Sequence, residues 1–293
     1  MDNVLMIGNL SYNINLFVDS YPIENQMFNI TNKTKSIGNN ISIVLSKYDL
    51  NVYYFSFIGD DTEGKEIINY LHSNKINTDY INTLNNTKTN KRYIIRNNKN
   101  NSKTILTERI TNKFELNRDI NFVPSVIYSE EYDVNLLKKL KEKFIVSKII
   151  TCLNEFTNDA LNTCSLSDYI IIPLKYAQML SNIKLDLRDK KSITSLYIKT
   201  KKLFSGKILI YIEEVGTIYE HNNMVSIIPK LGNKLLTNSS SYDIYVSTFI
   251  YSICKGFEID KAIKLSTISK FLSDNNKQNL NIKEVIDIYE KNN

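Results

Sequence analysis

Short apolar runs alternate with helical patterns along most of this chain, and this alternation limits its fold more than any other feature. The run Val52–Ile58 is rich in β-branched and aromatic residues and ends in the polar turn Gly59–Thr62. A helical pattern over 63–74 follows, with Ile67 and Leu71 on one face. A strand, a turn and a helix in this order form the βα unit of a parallel sheet, so the sequence predicts an α/β fold.

The same alternation resumes in the second half of the chain. Strands are predicted over 126–128, 148–152, 169–172 and 207–212, and helices over 134–144, 158–162, 176–181, 192–203, 244–255, 261–272 and 282–291. Gly256 is placed to end the helix over 244–255, because glycine readily takes the left-handed conformation past a last turn. No repeat or linker-like composition divides the pattern, so a single domain over 1–293 is expected.

Two hairpin patterns interrupt this alternation. Arg92–Arg96 and Lys103–Thr107 flank a tip of asparagine and lysine, and Val215–Tyr219 and Met224–Ile228 form a second pair. The first hairpin predicts a small sheet set apart from the main one, placed to act as a lid. The segment 33–40 is predicted to be a loop that opens a helix.

Composition and charge exclude several classes of protein. The net charge is +6, but the lysines are scattered and no arginine-rich or glycine-aromatic pattern occurs, so we expect no nucleic-acid partner. No apolar run reaches the ~18 residues of a membrane helix, so no membrane partner is expected. The start reads as a strand rather than an export signal, and the three cysteines are widely spaced. A reducing cytoplasm is the predicted location.

A few polar residues stand where ligands could bind. Glu131 follows a predicted strand end, where an α/β sheet places ligand contacts, and it is either a sugar contact or a solvated loop acid. Asn40 at a helix start either binds a polyol or caps the helix. His72 and His221 are far apart in the pattern and are read as surface residues, so no metal site is predicted from the side chains.

The stretch 235–243 joins an apolar pair to the helix over 244–255 through a turn of small polar residues. Free N–H groups at such a helix start can hold an anion. Asp243 could take a proton from a substrate hydroxyl there, or it could simply cap the helix as an acid in its first turn. Both interpretations remain open from the sequence.

The order of the elements and several short stretches resemble the PfkB/ribokinase family of carbohydrate kinases over nearly the whole chain. The stretches are 57–64 with Leu71 and 75–78, the Gly38–Asn40 turn, 102–106 in the first hairpin and 257–263 after the predicted helix. None is decisive alone, but their order and spacing together are specific.

This resemblance implies a ribokinase-like three-layer α/β/α fold with a small β-sheet lid, whose strands come mainly from about 12–35 and 87–110. It also implies transfer of a phosphoryl group from ATP, with Mg, to a hydroxymethyl group of a small sugar or nucleoside. A homodimer through the lid is the assembly that the resemblance suggests.

The family's motifs carry residue roles onto this chain. Asp243 holds the position of the general base, and Ser240, Ser241 and Tyr242 hold that of the anion hole. Glu213 lies at the nucleotide-side motif. The substrate positions fall on Asn13, Gly38 and Asn40.

Several of these positions depart from the family pattern. Tyr242 stands where the family has a small residue that lets the backbone approach a phosphate, and Glu213 adds a negative charge near the phosphates. Leu174 and Ala177 replace an amide and a carboxylate that organise magnesium. Changes at this many sites predict a kinase-like protein whose activity is weak or lost. The alternative is a non-catalytic protein that binds a sugar, a nucleoside or a partner.

Overall fold

A computed structural model describes residues 2–21, 24–25, 27–38, 40–100, 102–109, 118–232, 239–275 and 280–291, without the side chains of Ser239 and Ser240. Its strands are β1 (Asn3–Ile7), β2 (Tyr12–Val18), β3 (Asn32–Ile37), β4 (Asn51–Gly59), β5 (Ile81–Leu84), β6 (Lys91–Asn97), β7 (Lys103–Glu108), β8 (Val126–Ser129), β9 (Lys148–Cys152), β10 (Tyr169–Pro173), β11 (Lys207–Ile212), β12 (Gly216–His221) and β13 (Met224–Pro229). Its helices are α1 (Asn40–Lys47), α2 (Thr62–Ser73), α3 (Val134–Lys143), α4 (Asn158–Ser165), α5 (Leu174–Ser181), α6 (Lys190–Lys201), α7 (Ser239–Cys254), α8 (Ile259–Asp274) and α9 (Ile282–Lys291).

The chain divides into two compact units. Unit 1 comprises Met1–Ile7, Asn40–Tyr53 and Leu116–Asn293, and unit 2 comprises Gly8–Asn39 and Tyr54–Glu115. The fold is a three-layer α/β/α arrangement with a small additional sheet. The single domain expected from the sequence stays a prediction.

Unit 1 is built on a mostly parallel sheet in the order β13-β12-β11-β10-β9-β8-β1. Strands β1 and β8 to β11 run parallel, for example with Val4 opposite Val126, whereas β12 and β13 form the predicted antiparallel hairpin. The strands β8 and β10 are almost entirely buried. Strands covered on both faces need continuous apolar runs rather than alternating ones, which explains the pattern that identified them.

Helices α7 and α8 are buried in unit 1 although they carry many serines and threonines. The hydroxyls of Ser247, Thr248 and Ser252 donate to carbonyl oxygens four residues earlier, and those of Ser266 and Thr267 do the same in α8. Because these hydroxyls find acceptors within their own helix, they can be buried among apolar residues without an unsatisfied group.

The helix α7 begins earlier than the sequence predicts. It starts at Ser239 rather than at Ile244, so Asp243 lies beyond the first turn and cannot be its N-cap. That capping interpretation is wrong, because the run of serines continues the helix instead of forming the turn. The apolar pair at 235–236 lies outside the described residues. The end is as predicted: Gly256 has φ +71°, and the N–H groups of Gly256 and Phe257 donate to Ile253 and Ser252.

Unit 2 holds the small sheet, with strand order β3-β2-β6-β7. Strands β2 and β6 run parallel, and β3 and β7 flank them antiparallel, so the predicted hairpin of β6 and β7 is confirmed. The loop predicted over 33–40 is wrong for 33–37, because this segment pairs with β2 as strand β3. Its exposed polar residues lack the apolar pattern by which a strand is recognised.

The rest of unit 2 is a βα unit. The last residues of β4 pair in parallel with β5, a strand that the sequence did not reveal. Helix α2 follows β4, and the Asp61 carboxylate caps it by accepting from the Gly64 N–H at 2.9 Å. Asp61 also accepts from the Thr89 hydroxyl, which ties the start of α2 to the segment that enters the small sheet.

Candidate functional site

The structure brings Asn40 and Asp243 together although 203 residues separate them. The Nδ2 of Asn40 donates to Oδ2 of Asp243 at 2.9 Å. Helices α1 and α7 pack side by side in unit 1, where Tyr48 and Thr248 share a hydrogen bond of 3.2 Å and the Ser247 hydroxyl reaches the Ile41 carbonyl. An amide donor and a carboxylate at this point can hold a substrate hydroxyl and accept its proton.

The backbone at the start of α7 adds a second property to this site. Because the helix begins at Ser239, the N–H groups of Ser240 and Ser241 have no acceptor within the helix. Such N–H groups and the helix dipole attract negative charge. The Ser241 side chain is buried. The anion hole predicted over Ser240, Ser241 and Tyr242 therefore falls at the start of α7 and stays a prediction.

Tyr242 turns away from that helix end and into the sheet. Its ring meets the ring of Tyr211 edge-on, with centroids 5.0 Å apart, and the Tyr245 ring lies 5.1 Å from Tyr211 on another side. The Tyr242 hydroxyl is buried near the Cys152 thiol, without a hydrogen-bond partner among the described residues. Burial raises the pKa of Tyr242 well above its ordinary value, so the hydroxyl stays neutral.

These aromatic rings fill the carboxyl edge of the parallel strands. Tyr211 is near the end of β11, Cys152 ends β9, and Tyr128 belongs to β8. The Tyr128 ring is fully buried, and its hydroxyl donates to the Cys152 sulfur at 3.5 Å. Burial raises the pKa of Cys152 to about 12, so its thiol is not a nucleophile. Ligands of α/β proteins usually enter at this edge, and here tyrosines are packed into it.

The negative charge of Glu213 is paired with a positive charge. Its Oε1 pairs with Nζ of Lys270 at 2.9 Å, and Lys270 also pairs with Asp274 at 2.7 Å. The Tyr211 hydroxyl donates to the other oxygen of Glu213 at 2.8 Å. Burial lowers the pKa of Lys270, but the hydrogen bonds to Asp274 and Glu213 outweigh it, so the pKa is raised overall and the lysine stays charged. The prediction from the sequence missed this partner of Glu213.

Asn13 and Gly38 come together in unit 2. The Ser11 hydroxyl donates to Oδ1 of Asn13 at 3.0 Å, and the Gly38 N–H donates to the Ser11 carbonyl. A Cβ on Gly38 would lie 2.7 Å from the Ser11 hydroxyl and 3.0 Å from the Asn13 amide. A larger residue at position 38 would require the Ser11 and Asn13 side chains to shift, so glycine suits their close approach to the backbone.

The remaining predicted residues belong to unit 1. Glu131 lies just beyond β8, where its backbone carbonyl accepts from the Ser129 hydroxyl at 2.7 Å. Leu174 starts α5, and Ala177 is fully buried in the core of unit 1. Within the described part of the chain, no group of three His, Cys, Asp or Glu side chains could hold a metal ion.

The family comparison decides what the chain is related to. Residues 1–266 match the family described as pfkB family carbohydrate kinase. This chain belongs to that family. The match covers the strands of both units and the contact between Asn40 and Asp243, so the resemblance seen in short stretches of sequence is confirmed across the fold.

Solved structures with the same fold include ribokinases and a nucleoside kinase. The ribokinase of Arabidopsis thaliana, complexed with ribose and ATP, is 13% identical over 98% of each chain, with a TM-score of 0.79. The nucleoside kinase of Methanocaldococcus jannaschii is 16% identical over 99% of each chain, with a TM-score of 0.75. The ribokinase of Cryptococcus neoformans, in complex with ADP, is 14% identical over 98% of this chain and 99% of that one, with a TM-score of 0.77. No curated protein matches the chain.

Within the described part of this pfkB-family chain, no helix has both the length and the apolar character needed to cross a bilayer.

Lys270 is a partner of Glu213 that the sequence did not single out. The spacing of Lys270 and Asp274 is that of an ion pair on one helix face, and this signal was visible. Their third partner, Glu213, is distant in the sequence, and no local pattern connects it to α8.

Proposed function

We propose that this pfkB-family chain binds a small sugar or nucleoside, and that its phosphoryl transfer from Mg-ATP to a hydroxymethyl group is weak or lost. The observation that carries the proposal is the position of Tyr242, whose ring and buried hydroxyl fill the strand ends next to an otherwise preserved helix start. The residues expected to contact the sugar and those expected to contact Mg-ATP support this proposal in different ways.

Each unit holds polar groups that suit a polyol. In unit 1 Asn40 and Asp243 form a donor and acceptor pair, and in unit 2 the Asn13 side chain lies close to Gly38. Amide and carboxylate side chains bond hydroxyl groups without requiring charge on the ligand. The Asp243 carboxylate could take a proton from a hydroxymethyl group, as general base.

The residues of the donor side do not fit Mg-ATP. Magnesium prefers oxygen ligands, usually carboxylates, and Leu174 and Ala177 supply none at the place where the family keeps an amide and a carboxylate. A glycine lets backbone donors close on a phosphate, and Tyr242 replaces that freedom with a fixed bulky side chain. Loss of one preorganised donor typically reduces a rate by ~10²–10³.

A second candidate is a working carbohydrate kinase. The contact of Asn40 with Asp243 favours it, because a carboxylate held by an amide near the start of a helix is the arrangement that such catalysis needs. A homodimer through the small sheet and a cytoplasmic location remain predictions under both candidates.

Titration calorimetry with Mg-ATP, with ribose and with adenosine, together with an ADP-release assay, separates the two candidates. We expect heat of binding for a sugar or nucleoside, none for Mg-ATP, and no ADP release above background. The matched variants are Asp243→Asn and Asp287→Asn, the second on helix α9. Mg-ATP binding with turnover that Asp243→Asn abolishes and Asp287→Asn does not would establish the kinase and overturn the proposal.

A further inference from the structure

The segment 184–203 of unit 1 concentrates the positive charge of the chain. It contains seven lysine and arginine residues and two aspartates, so its net charge of +5 accounts for most of the +6 of the whole chain. The segment comprises most of the loop after α5, the helix α6 and the two residues that follow it. Charge of one sign at this density favours binding of an anionic partner.

The two faces of α6 differ in exposure. The buried side chains lie on one face of the helix: Ile193, Leu196, Tyr197 and Thr200. The opposite face is exposed, and four residues follow one another along it at helical spacing: Lys191, Ser195, Ile198 and Lys202. The helix therefore presents lysines to the solvent with an isoleucine between them.

The loop before α6 is held against the first turn of that helix. The Asp186 N–H donates to the Ser192 hydroxyl at 3.0 Å, and Leu187 and Arg188 follow with exposed side chains. The loop thus adds an apolar group and a cation next to those of the helix. The exposed side chains of 184–203 are here called the α6 surface.

The aspartates of the α6 surface do not neutralise its cations. Asp186 and Asp189 accept hydrogen bonds of 2.9–3.1 Å from backbone N–H groups at or just before the start of α6. Lys201 donates to two carbonyl oxygens beyond the helix end. Within the described residues the other six cations form no ion pair: Lys184, Arg188, Lys190, Lys191, Lys199 and Lys202. These six charges are available to an anionic partner.

The apolar residues of the α6 surface distinguish between kinds of anionic partner. Leu187, Ile198 and Leu203 are 45–49% exposed although they stand among charged residues. A dissolved nucleic acid gains little from aliphatic side chains, and protein interfaces favour arginine and aromatic residues over lysine. Lysines with aliphatic side chains between them suit a bilayer, because the aliphatic groups enter the lipid while the ammonium groups reach the headgroups.

We infer that the α6 surface binds the surface of a bilayer that contains anionic lipids. Its six cations complement the negative headgroups, and its three exposed aliphatic side chains leave water on binding. A helix that lies on a bilayer need not cross it, so this contact is compatible with the lack of a spanning helix among the described residues. It replaces the expectation of no membrane partner, which followed only from the length of the apolar runs.

Binding of the whole chain to vesicles tests the lipid contact. The probes are phosphatidylcholine vesicles, vesicles that also contain phosphatidylserine, and two soluble polyanions, polyglutamate and a single-stranded oligonucleotide. Cosedimentation should show at least about tenfold tighter binding to the phosphatidylserine vesicles than to the neutral ones. This preference should fall as the salt concentration rises, because salt screens the exposed charges.

Two double substitutions test the role of the charges. Lys191→Gln with Lys202→Gln should weaken binding to phosphatidylserine vesicles about tenfold or more, since each lysine near an anionic surface contributes about fivefold. Lys283→Gln with Lys291→Gln removes the same charge from exposed positions of α9 and should weaken binding by less than about twofold. Circular dichroism and the unfolding midpoint of each variant establish that it is folded.

A single substitution tests the role of the aliphatic side chains. Ile198→Gln should weaken binding to phosphatidylserine vesicles about fivefold, because less apolar area leaves water, and should leave binding to either polyanion unchanged. The control is Ile105→Gln on β7 of unit 2, because Ile105 is exposed to the same extent, 46%. This control should not change binding to the vesicles.

Several results would overturn the lipid contact. These are equal binding to neutral and anionic vesicles, an affinity that the α6 double substitution leaves unchanged, and equal effects of the α6 and α9 substitutions. Vesicle binding that Ile198→Gln does not weaken, with tight binding to polyglutamate or to the oligonucleotide, would assign the surface to an acidic protein or a nucleic acid instead. The affinity for a sugar or nucleoside should be the same in every variant, so failure of the lipid contact leaves the proposed function untouched.

Discussion

Asp243 and Tyr242 are consecutive residues of α7 that face different environments. Asp243 is partly exposed and meets the Asn40 amide, whereas Tyr242 packs its ring against Tyr211 and buries its hydroxyl. Successive residues of a helix point about 100° apart, so one helix start can serve a polar site and a packed core together. The polar side has kept groups that can act on a ligand, while the aromatic side has become part of the structure.

The ion network behind the aromatic side gives the largest expected effect. Lys270→Met would leave Asp274 and Glu213 without their ammonium group, and removing one partner of a buried pair costs about 3 kcal/mol or more. Chemical denaturation should show this loss. The control is Lys264→Met, whose ion pair with Asp260 is more exposed and should contribute less than about 1 kcal/mol. Equal losses of unfolding free energy in the two variants would mean that the buried network stabilises the chain no more than the exposed ion pair does.

Alkaline pH should destabilise the aromatic side. Burial raises the pKa of Tyr242 and of Tyr211 above the ordinary 10.0, so the folded chain keeps protons that the unfolded chain releases. Their contribution is complete below pH 10 and is lost as the pH rises above it, by about 1.4 kcal/mol per pH unit for each such tyrosine.

Denaturation curves between pH 8 and pH 11 measure this slope. Tyr242→Phe should make the pH dependence of stability shallower by the contribution of one tyrosine. Tyr70→Phe, at an exposed position of α2, should leave this pH dependence unchanged. An identical slope in Tyr242→Phe and in the unmodified chain would show that Tyr242 ionises as easily in the folded protein as in the unfolded one.

At neutral pH the same substitution should stabilise the chain. Tyr242→Phe removes a buried hydroxyl that has no partner among the described residues, with an expected gain of about 1 kcal/mol. Tyr245→Phe is the matched control, because the Tyr245 hydroxyl shares a 2.8 Å hydrogen bond with Thr217 and its loss should destabilise by about 1 kcal/mol. The midpoints of urea unfolding should therefore move in opposite directions. A destabilised Tyr242→Phe would mean that the hydroxyl has a partner.

The polar side should contribute least to stability. Asn40 is exposed, so Asn40→Ala should change the free energy of unfolding by less than about 0.5 kcal/mol. The affinity of the Asn40→Ala variant for the sugar or nucleoside should fall about tenfold, because one hydrogen bond to the ligand is lost. Calorimetry measures this affinity. Ser46→Ala on the same helix is the control. A large loss of stability without loss of affinity would assign Asn40 to the fold rather than to the site.

Most elements of the fold were predictable because their signals are local. Continuous apolar runs marked β8 to β11, the hairpin of β6 and β7 had a polar tip, and Gly256 ended α7. Strands β3 and β5 were missed because a strand held mainly by backbone hydrogen bonds needs no apolar pattern of its own. The start of α7 was missed because serines suit both turns and first helical turns.

The amino-acid sequence alone determined the α/β class, the family, and the candidate roles of Asp243, Asn13 and Gly38, since strand runs and short motifs are properties of neighbouring residues. Only the tertiary structure decided that Asn40 meets Asp243, that Lys270 neutralises much of the charge expected at Glu213, and that the Tyr242 ring lies among the strand ends. These contacts join residues that are dozens to hundreds of positions apart. The packing of helices and strands creates such proximity, and no local pattern in the chain encodes it.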